Sequence, residues 1–151
     1  MKLLGRDEFL NGQSLNLELV EVPELQGSIY MRELGTPGVM KFNSRVKELQ
    51  GGDEKKEIDF ESSIELMALS VSLSACDEKG VFLFSESDVK QLTNNNLAML
   101  LRLATKAMNI SGLGMNTIGE LTSGVAANLP KDPKNSSPTN SPKNSRKRKR
   151  K

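Results

Sequence analysis

The sequence predicts an α+β fold, in which an N-terminal β-hairpin is followed by a mostly helical bundle and a disordered basic C-terminal tail. Apolar residues alternate with polar ones between residues 15 and 34, which is the period of a half-buried strand. They recur every three or four residues over 59–75 and 95–110, as they do in amphipathic helices. From Pro130 the chain is rich in Pro, Ser, Asn and Lys, so it cannot bury enough apolar surface to offset its chain entropy.

The hairpin is predicted from two strands and the turn between them. Leucines at positions 15, 17 and 19 form one alternating set, whereas Val20 and Val22 lie on the opposite phase. A β-bulge near Leu19–Val20 would bring both sets to one face, so we expect one there. The Pro-Glu-Leu-Gln-Gly segment forms the turn, and Ser28–Leu34 forms the second strand. The ten residues at the start are interpreted as a short helical turn or a loop.

The first long helix is predicted from the residues at its two ends. Thr36 is a favourable N-cap, and Pro37 is a favourable first helical residue. Apolar residues continue at helical spacing to about Leu49. Gly51 and Gly52 then end the helix, because glycine adopts the left-handed conformation that closes many helices.

The strongest element is a helix from Asp59 to about Ala75. Its apolar members lie three or four residues apart, and others widen the stripe: Phe60, Ile64, Met67, Val71 and Ala75, with Leu66, Leu69 and Leu73. An apolar arc this broad indicates a helix at the centre of the core.

Short elements are predicted after this helix. Residues 77–80 form a turn, and residues 81–84 form a short extended piece. The segment Ser85–Asp88 resembles a capping box, with Asp in the place usually held by Glu or Gln, and it starts a helix that ends near Leu92.

Two further helices are predicted towards the C-terminus. Asn95 or Asn96 caps the first of them, which continues to about Ile110. A glycine-containing turn follows. The second, over residues 116–127, is expected to be weak because it contains two glycines.

Composition argues against catalysis. The chain has no His, which is the commonest general base and metal ligand, and its single cysteine, Cys76, is interpreted as a small buried hydrophobe. It contains neither a phosphate-cradling Gly-rich motif nor a Gly-x-Ser-x-Gly elbow. Neighbouring carboxylates such as Asp53 and Glu54 are interpreted as solvated loop charges. We therefore expect no enzyme, no cofactor, no metal site and no membrane span.

Charge is distributed unevenly along the chain. The net charge is +2, and residues 131–151 contain nine basic residues and one acid, hence +8, which leaves −6 for residues 1–130. The Arg/Lys run at 146–151 suits nucleic-acid binding by counterion release, although the tail has no aromatic residue to stack on bases. A nucleic-acid-associated adaptor is therefore the alternative function. The simpler interpretation of this run is a solvated, disordered chain end.

We expect one domain over residues 1–129 and a tail over residues 130–151.

Several segments, taken in their order, resemble a known family. The early ones are Leu-Leu-Gly-Arg-Asp-Glu near the start, Val-Glu-Val-Pro-Glu at the first strand end and Gly-Ser-Ile-Tyr-Met-Arg-Glu-Leu over 27–34. The later ones are Leu-Ser-Val-Ser-Leu over 69–73, Asp-Glu-Lys-Gly-Val-Phe-Leu-Phe over 77–84 and Ser-Glu-Ser-Asp-Val over 85–89. This arrangement, over roughly residues 1–123, resembles the tail assembly chaperones of long-tailed, siphovirus-type bacteriophages and prophages.

The resemblance implies a small chaperone that binds the tape measure protein during tail assembly. It implies action in the host bacterial cytoplasm and absence from the mature virion. Many members also have a longer product, made by ribosomal frameshifting, which recruits tail tube protein. Lys134-Asn135 and Lys143-Asn144 are compatible with slippery codons. The resemblance leaves self-association open.

The client implied by the resemblance is long, helical and apolar along its faces, so its chaperone needs an adaptable apolar groove. The chain has seven methionines against six aromatic residues, which favours such a surface because methionine adapts its shape. The groove is placed on the two strongest helices, with these partner-binding residues: Met67, Val71, Leu100, Leu101 and Met108. Core packing is the alternative role, and it is expected for most of them.

Overall fold

The chain has an α+β architecture, seen in a computed structural model that describes residues 1–12 and 16–113. The helices are α1 (Arg6–Asn11), α2 (Gly35–Gln50), α3 (Phe60–Ser72), α4 (Val89–Leu92) and α5 (Leu97–Ile110). The strands are β1 (Leu17–Val22), β2 (Gly27–Arg32) and β3 (Ala75–Cys76). The predicted fold class, a hairpin followed by helices, is confirmed for these residues. The predicted weak helix over 116–127 and the basic tail lie outside them.

The hairpin keeps an uninterrupted antiparallel register from Leu17 opposite Arg32 to Val22 opposite Gly27. The expected bulge near Leu19–Val20 is therefore wrong. Val22 is buried and Val20 packs against the core, whereas Leu19 is 54% exposed on the other face. The set formed by Val20 and Val22 thus faces the core, whereas Leu19 of the other set lies in solvent.

The third strand was not predicted. The helix α3 ends at Ser72 instead of continuing to Ala75, and the chain then turns to pair with β2. Ser74 makes the junction, since its carbonyl oxygen accepts the Arg32 N–H at 2.9 Å and its hydroxyl donates to the Arg32 carbonyl at 2.6 Å. Phe82, in the segment expected to be extended, forms a bridge to Cys76.

The helix ends agree with the sequence at three points and contradict the predicted cap of α2. The Asp59 side chain accepts the Ser62 N–H at 2.7 Å and starts α3. Gly51 adopts a positive φ and ends α2. Of the two asparagines predicted as the cap of α5, Asn96 is the one that caps the helix, since its side chain accepts the Met99 N–H at 3.1 Å. At α2 the cap position is Leu34, so Thr36 lies inside the helix.

The core is built around α3, which packs against α5, α4 and α2. Serines on α3 are buried as well as its apolar residues, and their hydroxyls bond to backbone carbonyls one turn back. Ser63 donates to the Asp59 carbonyl, and Ser70 donates to the Met67 carbonyl. Because these polar groups are satisfied internally, the helix is buried almost all round near its C-terminal end.

Candidate functional site

The residues predicted to bind a partner lie mainly in the core. Met67, Val71, Leu100 and Met108 are 0–2% exposed, and Leu101 is half-buried. This agrees with the core role stated as the alternative from the sequence. Contact between these residues and a client stays a prediction.

A groove runs along one side of α3, between α2 and the turn that leads into α4. We call it the α3 groove. It consists of two adjoining hollows of about 430 Å³ and 520 Å³, which share Glu65, Glu86 and Val89. Its apolar floor is formed by Met40, Ile64, Leu69 and Val89. Met40 is 65% exposed, so this flexible part of the floor is open to solvent.

Charged side chains of both signs line the rim of the α3 groove. Arg45 bridges two helices, donating to Glu65 at 2.7 Å and to Glu48 at 2.7 Å. These carboxylates, Glu48 before Glu65, raise the pKa of the Arg45 guanidinium. Lys41 donates to Glu86 at 2.6 Å and lowers the pKa of that carboxyl. Because these ion pairs are exposed and screened by salt, they contribute little to the stability of the fold. Their main effect is to hold the charged side chains in place along the rim.

The α3 groove was not found from the sequence, although one signal pointed to it. The apolar stripe of α3 is broad, and Ile64 and Leu69 are the members of it that reach the groove. Met40 is one of the apolar residues of α2, but its side chain is largely exposed. The position of Val89 depends on how α4 packs on α3, which local spacing does not reveal.

Cys76 occupies a closed position rather than a reactive one. It is 1% exposed, and burial is the main cause that raises the pKa of its thiol. Arg32 works in the opposite direction, and its guanidinium stacks 4.5 Å from the centre of the Phe82 ring. A protonated, buried thiol is a small hydrophobe, as expected from the sequence.

The geometry of the described residues also bears on metal binding and on membrane crossing. Over residues 1–12 and 16–113, no group of three or more Cys, Asp or Glu side chains is arranged to hold a metal ion. No helix in that part of the chain has the length and apolar character needed to cross a bilayer.

Comparison with known proteins shows what the fold is similar to. No family model and no curated protein matches this chain. Among solved structures, a chain described as the bacteriophage HK97 tail assembly chaperone is similar, with a TM-score of 0.50 and 16% sequence identity. The match covers 69% of this chain and 94% of that chain. At this identity the similarity concerns the fold alone, and it includes nearly the whole of the phage protein.

Proposed function

We propose that this chain is a non-enzymatic tail assembly chaperone of a long-tailed bacteriophage or prophage. The observation that carries the proposal is the fold shared with the HK97 tail assembly chaperone over 94% of that chain. The sequence segments that resemble the same family support it separately, because that resemblance rests on residues and the fold comparison rests on backbone geometry.

The client in this proposal is the tape measure protein, held in the α3 groove. The floor of Met40, Ile64, Leu69 and Val89 offers apolar contact to one face of a client helix. The rim carries both signs of charge, so it suits the polar flanks of many helices and favours no single sequence. A long client repeats such helices, and many weakly bound copies then cover it by multivalency.

We also propose where the chain acts and what a longer product would do. The chaperone acts in the host bacterial cytoplasm and leaves before the virion is complete. A longer, frameshifted product recruits tail tube protein. The α3 groove lies in the part that both products would share.

The first test is expression of the tape measure protein of the same phage with and without this chain. We expect the tape measure protein to become soluble and to co-purify with this chain at both low and high salt, because salt does not screen contacts between apolar side chains. A tape measure protein that stays insoluble and unbound would overturn the proposal. Recovery of nucleic acid that is lost at high salt would instead favour the adaptor.

The α3 groove is tested with an exposed apolar residue that can change without damage to the core. Met40→Asp should weaken client binding roughly tenfold to a hundredfold, since a buried apolar side chain contributes about 1.5–3 kcal/mol. Leu25→Asp is the matched control, because Leu25 is 69% exposed in the hairpin turn, away from the groove lining.

Leu101→Asp tests the client site that was placed on the two strongest helices from the sequence. If Leu101→Asp reduces binding in a folded chain and Met40→Asp does not, the client lies on α5 instead.

A further inference from the structure

Within the described residues, β1 lies at the edge of the sheet, because β2 separates it from β3. Its pairing with β2 is continuous from end to end, and no proline interrupts the strand. Natural proteins often protect an edge strand with a bulge, a proline or a covering element, since its unpaired main-chain groups bind other strands. The regularity of β1 therefore leaves it able to pair with a further strand.

The hydrogen bonds at the ends of β2 show which main-chain groups of β1 face the open edge. Asn16 and Glu33 form a hydrogen-bonded pair, since the Glu33 N–H bonds to the Asn16 carbonyl at 3.2 Å. Hydrogen-bonded and non-hydrogen-bonded pairs alternate along an antiparallel ladder. The residues of β1 that bond to β2 are then Glu18, Val20 and Val22. The residues that direct their N–H and carbonyl groups to the open edge are Leu17, Leu19 and Glu21.

Two other contacts agree with this orientation. The Arg32 N–H bonds to the Ser74 carbonyl at 2.9 Å, so Arg32 faces β3, and Leu17 opposite it faces the open edge. At the other end of β1, the Arg102 guanidinium donates to the Glu21 carbonyl at 2.8 Å, from outside the ladder. Over residues 1–12 and 16–113, the edge-facing N–H and carbonyl groups of Leu17 and Leu19 have no hydrogen-bond partner.

The side chains along this edge have a definite chemical character. Leu17, Leu19 and Glu21 share the face of the sheet opposite to Val20 and Val22, because side chains alternate along a strand. Leu19 is more than half exposed. The Glu21 carboxylate is exposed as well, and it has no ion pair within the described part of the chain. A strand beside β1 therefore meets an apolar surface followed by one uncompensated negative charge.

Contacts with α5 hold the edge in place. Arg102 binds both the Glu21 carbonyl and the Glu24 carboxylate, and Lys106 forms an ion pair with Glu18. An edge that is already ordered loses little conformational entropy when a partner pairs with it. None of these residues lines the α3 groove, so the edge and the groove are separate surfaces.

We propose that the open edge of β1 binds an extended segment of another protein by β-strand addition. The segment lies antiparallel to β1, as all strand pairs of this sheet do. It carries a basic residue opposite Glu21 and apolar residues opposite Leu19 and Leu17, in that order along its chain. An extended chain matches the N–H and carbonyl groups of alternate residues, and the opposite charges at Glu21 set its register. This surface does not depend on the helical client of the α3 groove.

Hydrogen exchange of the full chain, resolved by residue with NMR, tests the edge with the peptide Thr-Lys-Thr-Val-Thr-Val-Thr. Without the peptide, the edge-facing N–H groups should exchange at least about tenfold faster than those bonded to β2. With the peptide, exchange should slow by about tenfold or more at Leu17, Leu19 and Glu21. Exchange at Glu18 and Val20 should stay unchanged. This alternation distinguishes pairing at the edge from a general stabilisation of the hairpin.

N-methylated peptides supply the matched control, because they leave this chain untouched. Methyl groups on the lysine nitrogen and the two valine nitrogens of the peptide main chain, which face β1, should abolish binding. Methyl groups on the three threonine nitrogens between and after them face away, and they should change the affinity by less than about threefold. Glu21→Lys should weaken binding of the original peptide by up to about fivefold, and a peptide with Glu in place of Lys should then bind better.

Three results would overturn the proposal. Slow exchange at Leu17 and Leu19 without any peptide would show that the edge is already covered, by this chain or by a second copy. Unchanged exchange at about 1 mM peptide would show that the edge binds no such strand. Equal binding of the two methylated peptides would place the peptide elsewhere on the molecule.

Discussion

At the scale of the residue, the Asp59 carboxylate at the start of α3 makes the stability of the fold depend on pH. The Ser62 N–H bonds to its side chain at 2.7 Å and is the main cause that lowers the pKa of the Asp59 carboxyl. A lowered pKa in the folded state means that the charged carboxylate stabilises the fold above its unfolded pKa. This contribution is lost as the pH falls through the lowered folded value.

Asp59→Asn keeps an oxygen that can accept the same hydrogen bond but removes the titration. We expect the native chain to be the more stable at about pH 7, because the carboxylate also interacts favourably with the helix dipole. The advantage should shrink between about pH 5 and pH 2. Urea unfolding of both chains across this range measures it. A difference that is the same at every pH would show that the Asp59 charge plays no part.

Leu100 shows how strongly the core depends on α5. It is 1% exposed among the apolar residues that surround α3. Leu100→Ala should lower the free energy of unfolding by about 2–5 kcal/mol, since it removes apolar contact and leaves a cavity. Leu19→Ala, on the open face of the sheet, should change it by less than about 0.5 kcal/mol. Equal effects in urea unfolding would contradict the assignment of Leu100 to the core.

At the scale of the element, α5 begins at one asparagine and not at its neighbour. The Asn96 side chain accepts the Met99 N–H, whereas Asn95 lies one residue before the cap. Asn96→Ala should cost about 0.5–2 kcal/mol, the range of lost N-caps. Asn95→Ala should have a smaller effect. Thermal or urea unfolding of the two variants compares them directly, and the reverse order would place the helix start at Asn95.

The starts of α3 and α5 could be predicted because a cap and a 3.6-residue period are local properties. The strand β3 could not, because Ala75 continues the helical period of α3 and leaves it only by pairing opposite Met31. The absent bulge has the same explanation, since the register of β1 is decided by its partner strand and not by its own alternation. The α3 groove likewise needs three helices to pack before Met40 and Val89 share a surface.

At the scale of the whole molecule, charge separates the body from the tail. Residues 1–130 carry −6 and residues 131–151 carry +8. An acidic body repels nucleic acid, so any such binding should come from the tail and depend steeply on salt. Client binding in the apolar α3 groove should depend on salt far less.

Deletion of residues 131–151 tests this separation. The shortened chain should keep its client binding and its free energy of unfolding within about 0.5 kcal/mol. Any affinity of the full chain for duplex DNA should fall with salt with a logarithmic slope of up to about −5, set by the six basic residues at 146–151. Loss of client binding on deletion would mean that the tail takes part in the chaperone function.

Binding of the proposed client in the α3 groove is tested most directly by hydrogen exchange of the chain with and without a purified helical segment of the tape measure protein. We expect slower exchange in the segments that line the α3 groove, over residues 40–48, 61–69 and 86–93. Exchange in the hairpin turn at Pro23–Leu25 should stay unchanged. Protection confined to α5, or no protection at a saturating concentration of the segment, would contradict binding in the α3 groove.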